Sequence, residues 1–293
     1  MGDPKTIFCA GLIPALCVVL GALISRSWRD GYERWGALPA VAIALAFMVG
    51  MPCLVDGLTL LPPRNGWHWL FWVAAGVGAV GVVEIVVKNR LIVWIVGMVV
   101  SVIAYYLLAR VFIHRTSRPW ATADAVQWIA ISSIASMVMM VTGDLLTRCT
   151  NSARTAACAF AVIAVVAAAH IGLKSSQAHA HVAGIAATCA GTVAALCIVM
   201  PHLRFGASVW LAIGLMLTAV TTVNLDPWYS SVPLQNGLLI FVAPLAAWAA
   251  LLADSRRWYA PMLVAVIAVL VPLAPVILQV IESVISFQKQ GFL

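Results

Sequence analysis

Six ionisable side chains stand inside or at the rim of long apolar runs: Asp56, Glu84, Arg110, Asp144, His170 and His181. A charge at the centre of a bilayer costs at least ~2.5–3.5 kcal/mol on insertion scales, so each of these groups requires a partner or a polar cavity. The chemistry they could supply there is proton or cation binding by a carboxylate, with a guanidinium as counter-charge. Asp56, Arg110, Asp144 and Glu84 are therefore the candidates for a substrate or ion pathway.

Two of the acids have a dull local explanation. Glu84 precedes Lys88 by four residues, and Asp144 precedes Arg148 by four. Acid before base at that spacing is the favoured helical order, and both bases can snorkel toward the headgroups. Juxtamembrane ion pairing is the simpler account of each, and a polar cavity on the same face is the alternative. Asp144 also continues a stripe with Ser133, Ser136 and Met140, with Ser132 beside it. A polar stripe on a span faces other helices; a hydrogen-bonded packing seam is its commoner use and a lined pathway its rarer one. Asp56 sits in GMPCLVDG, between Gly50, Pro52 and Gly57. Proline and glycine break membrane helices where carriers bind ions, although Pro62 close behind also fits an ordinary frayed helix end. Arg110 falls toward the same side of the membrane and is the proposed partner of Asp56.

No metal or cofactor site is expected. His179 and His181 flank Ala180, and residues two apart point about 200° apart on a helix. His170 lies on the preceding span, and no acid nearby completes a site. The seven cysteines contain no CxxC pair and read as small buried hydrophobes. No Walker A loop, dinucleotide turn, HExxH, Asp-rich prenyltransferase motif or GxSxG turn occurs, so the chain leans away from an enzyme.

The elements that must position these groups are set by composition. The chain has 293 residues, 63% hydrophobic and 9% charged, with mean hydropathy +1.04. A soluble domain carries roughly 25% charged residues. The runs are continuously apolar, which excludes a β-barrel, and backbone groups in lipid must be satisfied within each segment. The expectation is an all-α polytopic transmembrane helix bundle of about ten spans with short loops. It would form a single membrane domain over residues 1–293 with no extramembrane domain. The spans read as Ile7–Ser25, Ala37–Leu61, Trp67–Val87, Leu91–Ile113, Asp124–Thr147, Thr155–Leu173, His181–Met200, Ser208–Asn224, Gln235–Ala253 and Tyr259–Ile281, followed by a short polar tail. Ile7–Ser25 lacks a basic n-region and a cleavage site, so it is expected to be retained.

With the N-terminus outside, ten Lys/Arg fall on inside segments and seven on outside ones, which favours N-out, C-out. The loop bearing Arg115 and Arg118 runs against that bias. Tryptophans such as Trp28, Trp67, Trp120, Trp210 and Trp258 fall near span edges, the depth amphipathic indoles prefer. Gly76, Gly78 and Gly81 in the third span, and Gly184 and Gly191 in the seventh, predict close helix contacts. Prolines do not repeat between halves, which gives no support to a five-plus-five architecture.

The basic residues are scattered, which excludes a nucleic-acid surface and suits anionic headgroups. The size and span count resemble the drug/metabolite exporter layout. The resulting expectation is a bacterial inner-membrane protein that acts as a small-solute carrier or permease component. Its partners would be the bilayer, a small solute or coupling ion, and a membrane protein. The alternatives are a non-catalytic subunit or scaffold of a membrane complex, and third a membrane-embedded enzyme acting on lipid.

Overall fold

A computed structural model describes residues 6–27, 36–54, 66–87, 89–113, 121–150, 152–174, 177–200, 202–224, 233–253 and 257–289. All regular structure among these residues is helical. The helices are α1 (Ile13–Ser27), α2 (Leu38–Leu54), α3 (Gly66–Val86), α4 (Arg90–Ile113), α5 (Thr122–Cys149), α6 (Ala153–Lys174), α7 (Gln177–Val199), α8 (Ala207–Asn224), α9 (Leu234–Ala246) and α10 (Ala260–Lys289). Nine of the described helical stretches are long and apolar enough to cross a membrane, and α2 is a shorter apolar helix of 17 residues.

Local departures from the α-helix follow the prolines. Pro14 has no N–H to offer the carbonyl of Ala10, and the chain just before it, Ile7–Leu12, winds as a π-helix that closes on α1. Past Pro244, α9 tightens into a 3₁₀ stretch, Ala247–Leu252. Pro272 and Pro275 are absorbed within α10, which runs on to Lys289. The polar tail expected after Ile281 is therefore largely helical, because its Glu282, Ser283 and Gln288 alternate with apolar residues at helical spacing.

The centre of the bundle is α8. Every residue from Ala207 to Asn224 is buried. It packs on α2, α3, α4, α5, α6, α7 and α9. Its polar side chains turn back onto its own backbone: Thr218 donates to Gly214 O, Thr221 to Leu217 O, Thr222 to Thr218 O and Asn224 to Val220 O. That satisfies hydroxyls and an amide which no water can reach.

Small residues let neighbours approach. A Cβ on Gly97 of α4 would lie 3.0 Å from Met140 Sδ on α5 and 3.1 Å from Leu211 on α8, so one glycine joins three helices. In α3 the expected contacts occur, with Gly78 and Gly81 against α2 and Gly76 against α4. In α7 they occur in part: a Cβ on Gly184 would lie 3.9 Å from Ala10, Gly191 meets nothing within 4 Å, and the most buried face bears Val182, Ile185, Cys189 and Val193.

Candidate functional site

Antiparallel packing brings four helix ends to one face of the bundle. The end of α3 supplies Glu84. The next helix starts after a tight turn, where Asn89 Oδ1 accepts from Leu91 N at 3.0 Å and caps α4. That cap fixes Arg90 at the first position of α4. The last turns of α5 supply Asp144, Thr147 and Arg148. The segment entering α8 supplies Arg204, Phe205 and Gly206, and is anchored by Gly206 N donating to Gly36 O at 2.9 Å. These eight side chains and backbone groups line a cleft of about 250 Å³.

Glu84 does not need a basic partner on its own helix. Its Oε1 accepts from Ala207 N and its Oε2 from Ser208 N, both at 2.8 Å. A carboxylate on α3 thus caps α8 at the end where unsatisfied N–H groups and the helix dipole favour negative charge. The expected partner, Lys88, lies outside the described residues. Gly206 makes the approach possible, since a Cβ there would be 2.5 Å from Glu84 Oε2.

Asp144 is 3% exposed. The ion pair with Arg148 expected from the four-residue spacing is present, Nε to Oδ1 at 3.3 Å. A second guanidinium, Arg90, reaches the same oxygen from α4 at 3.4 Å. The carboxylate is buried while both arginine side chains are roughly two-fifths exposed, the geometry of snorkelling bases over an acidic floor. Both arginines are on Oδ1, and the indole N–H of Trp94, one turn past Arg90 on α4, is the further donor directed to this carboxyl group. Arg204, exposed at the rim, makes the site three guanidinium groups over two carboxylates.

Below the cleft the bundle is closed. Phe205 meets the edge of Trp210 at 6.2 Å, and Phe160 meets it at 5.5 Å from the other side. Trp210 lies against Gly143, and Met139 and Met140 pack on α8 and α4. Deeper still is a polar seam. Ser132 pairs with Thr222 and Ser136 with Thr218, each at 2.7 Å; Tyr105 bonds Ser136 at 2.8 Å and also bonds Thr218. Ser132 and Ser136 of the α5 stripe thus form a hydrogen-bonded packing seam joining α4, α5 and α8, while the Ser133 hydroxyl has no partner among the described residues.

The other candidates lie elsewhere. Arg110 is exposed in the last turn of α4, twenty residues from Arg90 and so about 30 Å away at 1.5 Å per residue. Glu84 and Asp144 share one end of the bundle and Arg110 marks the other. Asp56 lies outside the described residues, as does any pairing between it and Arg110. The histidines take separate partners: His170 Nε2 meets Asn236 Nδ2 at 3.0 Å, and Asn236 donates to Gln279 at 2.7 Å, while His181 Nε2 meets Thr6 Oγ1 at 3.2 Å. Among the described residues no three His, Cys, Asp or Glu side chains gather as a metal site.

Sequence spacing found the pair on α5 and missed what crosses between helices. Nothing local ties Arg90 to Asp144 or Glu84 to the start of α8, residues 54 and 123 or more apart. The available signal was weaker: Arg90 opens a span, and a span with several hydroxyl residues, α8, belongs inside the bundle. Comparison with protein-family models, with curated proteins and with solved structures finds no match to this chain. Fold and composition define a multi-pass helical membrane protein, and its most polar described cavity is the arginine-rimmed cleft.

Proposed function

We propose that the chain is a small-solute carrier or permease component that holds the charged part of its solute in the cleft formed by Glu84, Arg90, Asp144, Arg148 and Arg204. One observation carries this reading. A buried carboxylate, Asp144, stands on the wall of an open cavity, beside guanidinium groups that have donors to spare. A group needed only for packing would be closed over or fully paired. Asp144 and Glu84 are its acidic residues, and Glu84 acts by holding the start of α8 in place. Arg110 stands apart from this cleft, at the far end of α4. The arginine-rich face is the cytoplasmic one, which leaves both termini outside a bacterial inner membrane.

The test is a thermal-shift screen of charged and neutral solutes on the purified protein, repeated on Asp144→Asn and Arg148→Gln. Charged solutes should stabilise the parent, and both substitutions should abolish the shift. A panel with no stabilising compound, or shifts that survive both substitutions, removes the carrier reading.

The seam favours a second reading, a non-catalytic subunit of a membrane complex. Tyr105, Ser132, Ser136, Thr218 and Thr222 bond one another in the middle of the bundle and tie α4, α5 and α8 together there. In that case the cleft charges are structural, and the same screen finds nothing while a partner protein co-purifies from the native membrane.

A further inference from the structure

A second cavity lies beside the cleft, on the outer face of α5. It is a groove of about 400 Å³, walled by Met98 of α4, Ile134, Met137 and Val141 of α5, and Leu245 and Trp248 of α9 and its extension. Its lining is almost wholly apolar, and Ile134, Met98 and Leu245 are about half exposed or more, so it faces the hydrocarbon. Its polar groups are few. Trp248 Nε1 donates to Thr142 at 3.3 Å, and the buried Ser133 hydroxyl on its wall has no partner among the described residues.

Groove and cleft are laid end to end. Ile134, Val141 and Arg148 are spaced seven apart and drift only ~20° per step, so one stripe of α5 runs from the groove to a cleft guanidinium. On antiparallel α4, Arg90 in the cleft leads to Met98 in the groove two turns on. Ile134 to Arg148 spans about 21 Å at 1.5 Å per residue. One leaflet, headgroups included, is about half of 40–45 Å. A helix over the groove's length would displace roughly 1,000 Å³, well above the volume available, so the shape suits a chain instead of a helix.

The cationic end has free capacity. A guanidinium carries five N–H donors. Arg148 gives its Nε to Asp144 and Arg90 gives one Nη1 bond, and neither makes a further hydrogen bond among the described residues. Guanidinium forks match phosphate oxygens, and basic pockets at a membrane face hold anionic headgroups.

We propose that cleft and groove together bind one anionic membrane phospholipid, its phosphate on Arg90 and Arg148 with Arg204 at the rim, and one acyl chain along α5 from Val141 to Ile134. The proposal rests on the cleft being a ligand site, as above, and names the ligand as a lipid instead of a water-soluble compound. The occupant comes from the bilayer because a cationic cleft and an apolar groove follow one another along the same stripe of α5, as headgroup and chain do in a lipid.

The test measures retention and thermal stabilisation of the detergent-purified chain with dioleoyl phosphatidylglycerol, dioleoyl phosphatidylcholine and soluble glycerol 3-phosphate. One phosphatidylglycerol should be retained at least about tenfold more tightly than phosphatidylcholine, with glycerol 3-phosphate neither binding nor competing. Arg90→Gln with Arg148→Gln should erase that preference. Ile134→Trp, at an exposed position that folding tolerates, should weaken phosphatidylglycerol about tenfold by filling the groove. Equal retention of both lipids overturns the proposal, because it means only annular lipid. Tight glycerol 3-phosphate binding indifferent to Ile134→Trp overturns the lipid assignment and leaves the solute carrier standing. No binding by any of the three overturns both. If the double arginine variant fails to fold, Ile134→Trp with the lipid comparison still decides.

Discussion

Removing the Glu84 carboxylate should destabilise the bundle from its centre. Its two oxygens accept from Ala207 N and Ser208 N at 2.8 Å, and both of those residues are buried, so water from the cleft replaces the lost acceptor only in part. A hydrogen bond to a charged group contributes ~1.5–3 kcal/mol, and a buried donor left alone costs ~1–3 kcal/mol. The dipole contribution arises from the same N–H groups and is not added again. Glu84→Ala should therefore cost about 3 kcal/mol, and Glu84→Gln, which keeps one acceptor, about half of that. The melt can be followed with a thiol-reactive dye, since Cys9, Cys189 and Cys197 are buried and become reactive on unfolding; Cys149 is exposed and is first changed to Ser. At ~2 °C per kcal/mol, Glu84→Ala should melt about 6 °C low. Gly206→Ala supplies an independent check. Its Cβ would sit 2.5 Å from Oε2 and must push the carboxylate off the helix end. It should cost about as much as Glu84→Gln alone, and nothing further once Glu84 is Ala. If Glu84→Ala melts with the parent, or if the two losses simply add, the carboxylate does not hold α8 and the reasoning fails.

Three further outcomes follow from the packing. Gly143→Ala drives a methyl into the buried Trp210 ring and should cost about 3 kcal/mol, the upper end for overpacking, with partial rescue by Trp210→Leu read in the same melt. Tyr105→Phe removes the hydroxyl shared by Ser136 and Thr218, which still bond each other, so the loss should be about 1 kcal/mol; a loss near that of Glu84→Ala would mean the seam does more than pack. A double-mutant cycle of Asp144→Asn with Arg90→Gln should give a coupling of about 0.5–1 kcal/mol, small because the guanidinium is largely solvated, and zero coupling would remove the contact across α4 and α5.

The spans were legible because lipid imposes one rule on every residue of a run: its backbone must bond within the segment and its side chain must be apolar. Thus Leu91–Ile113 was expected and Arg90–Ile113 is observed, and Thr155–Leu173 lies within Ala153–Lys174. The i,i+4 pair of Asp144 and Arg148 was legible for the same reason, since both partners lie on one helix. The rank of the helices was not. α8 reads as an ordinary span, yet it is the buried post, and its clue is the hydroxyl content of Ser208, Thr218, Thr221 and Thr222, which lipid-facing helices avoid. For Glu84, helical spacing offers Lys88, which lies outside the described residues, while its observed acceptor bonds go to another helix more than a hundred residues on. Hydropathy patterns carry the depth of a residue in the membrane but not the rotation of one helix against the next, and the cleft is made of such rotations.

The closed layer beneath the cleft bears on how anything bound there could leave. Trp210 fills the space above Gly143, Met140 wedges between Gly97 and Leu211, and the Tyr105 seam ties α4 and α5 to α8. Glu84 adds a fourth tie, from α3 to the same helix. Opening a route straight through would break several of these contacts together, in a block whose central helix has no exposed residue. Two outlets need no such change. One is the water at the arginine face. The other, in the lipid reading proposed above, is sideways along α5, from Arg148 past Val141 toward the groove. A headgroup that enters the cleft by that side keeps its chain in hydrocarbon throughout, so the barrier to its movement is set by the arginines alone. The packed core among the described residues is no obstacle to a ligand that never leaves the membrane.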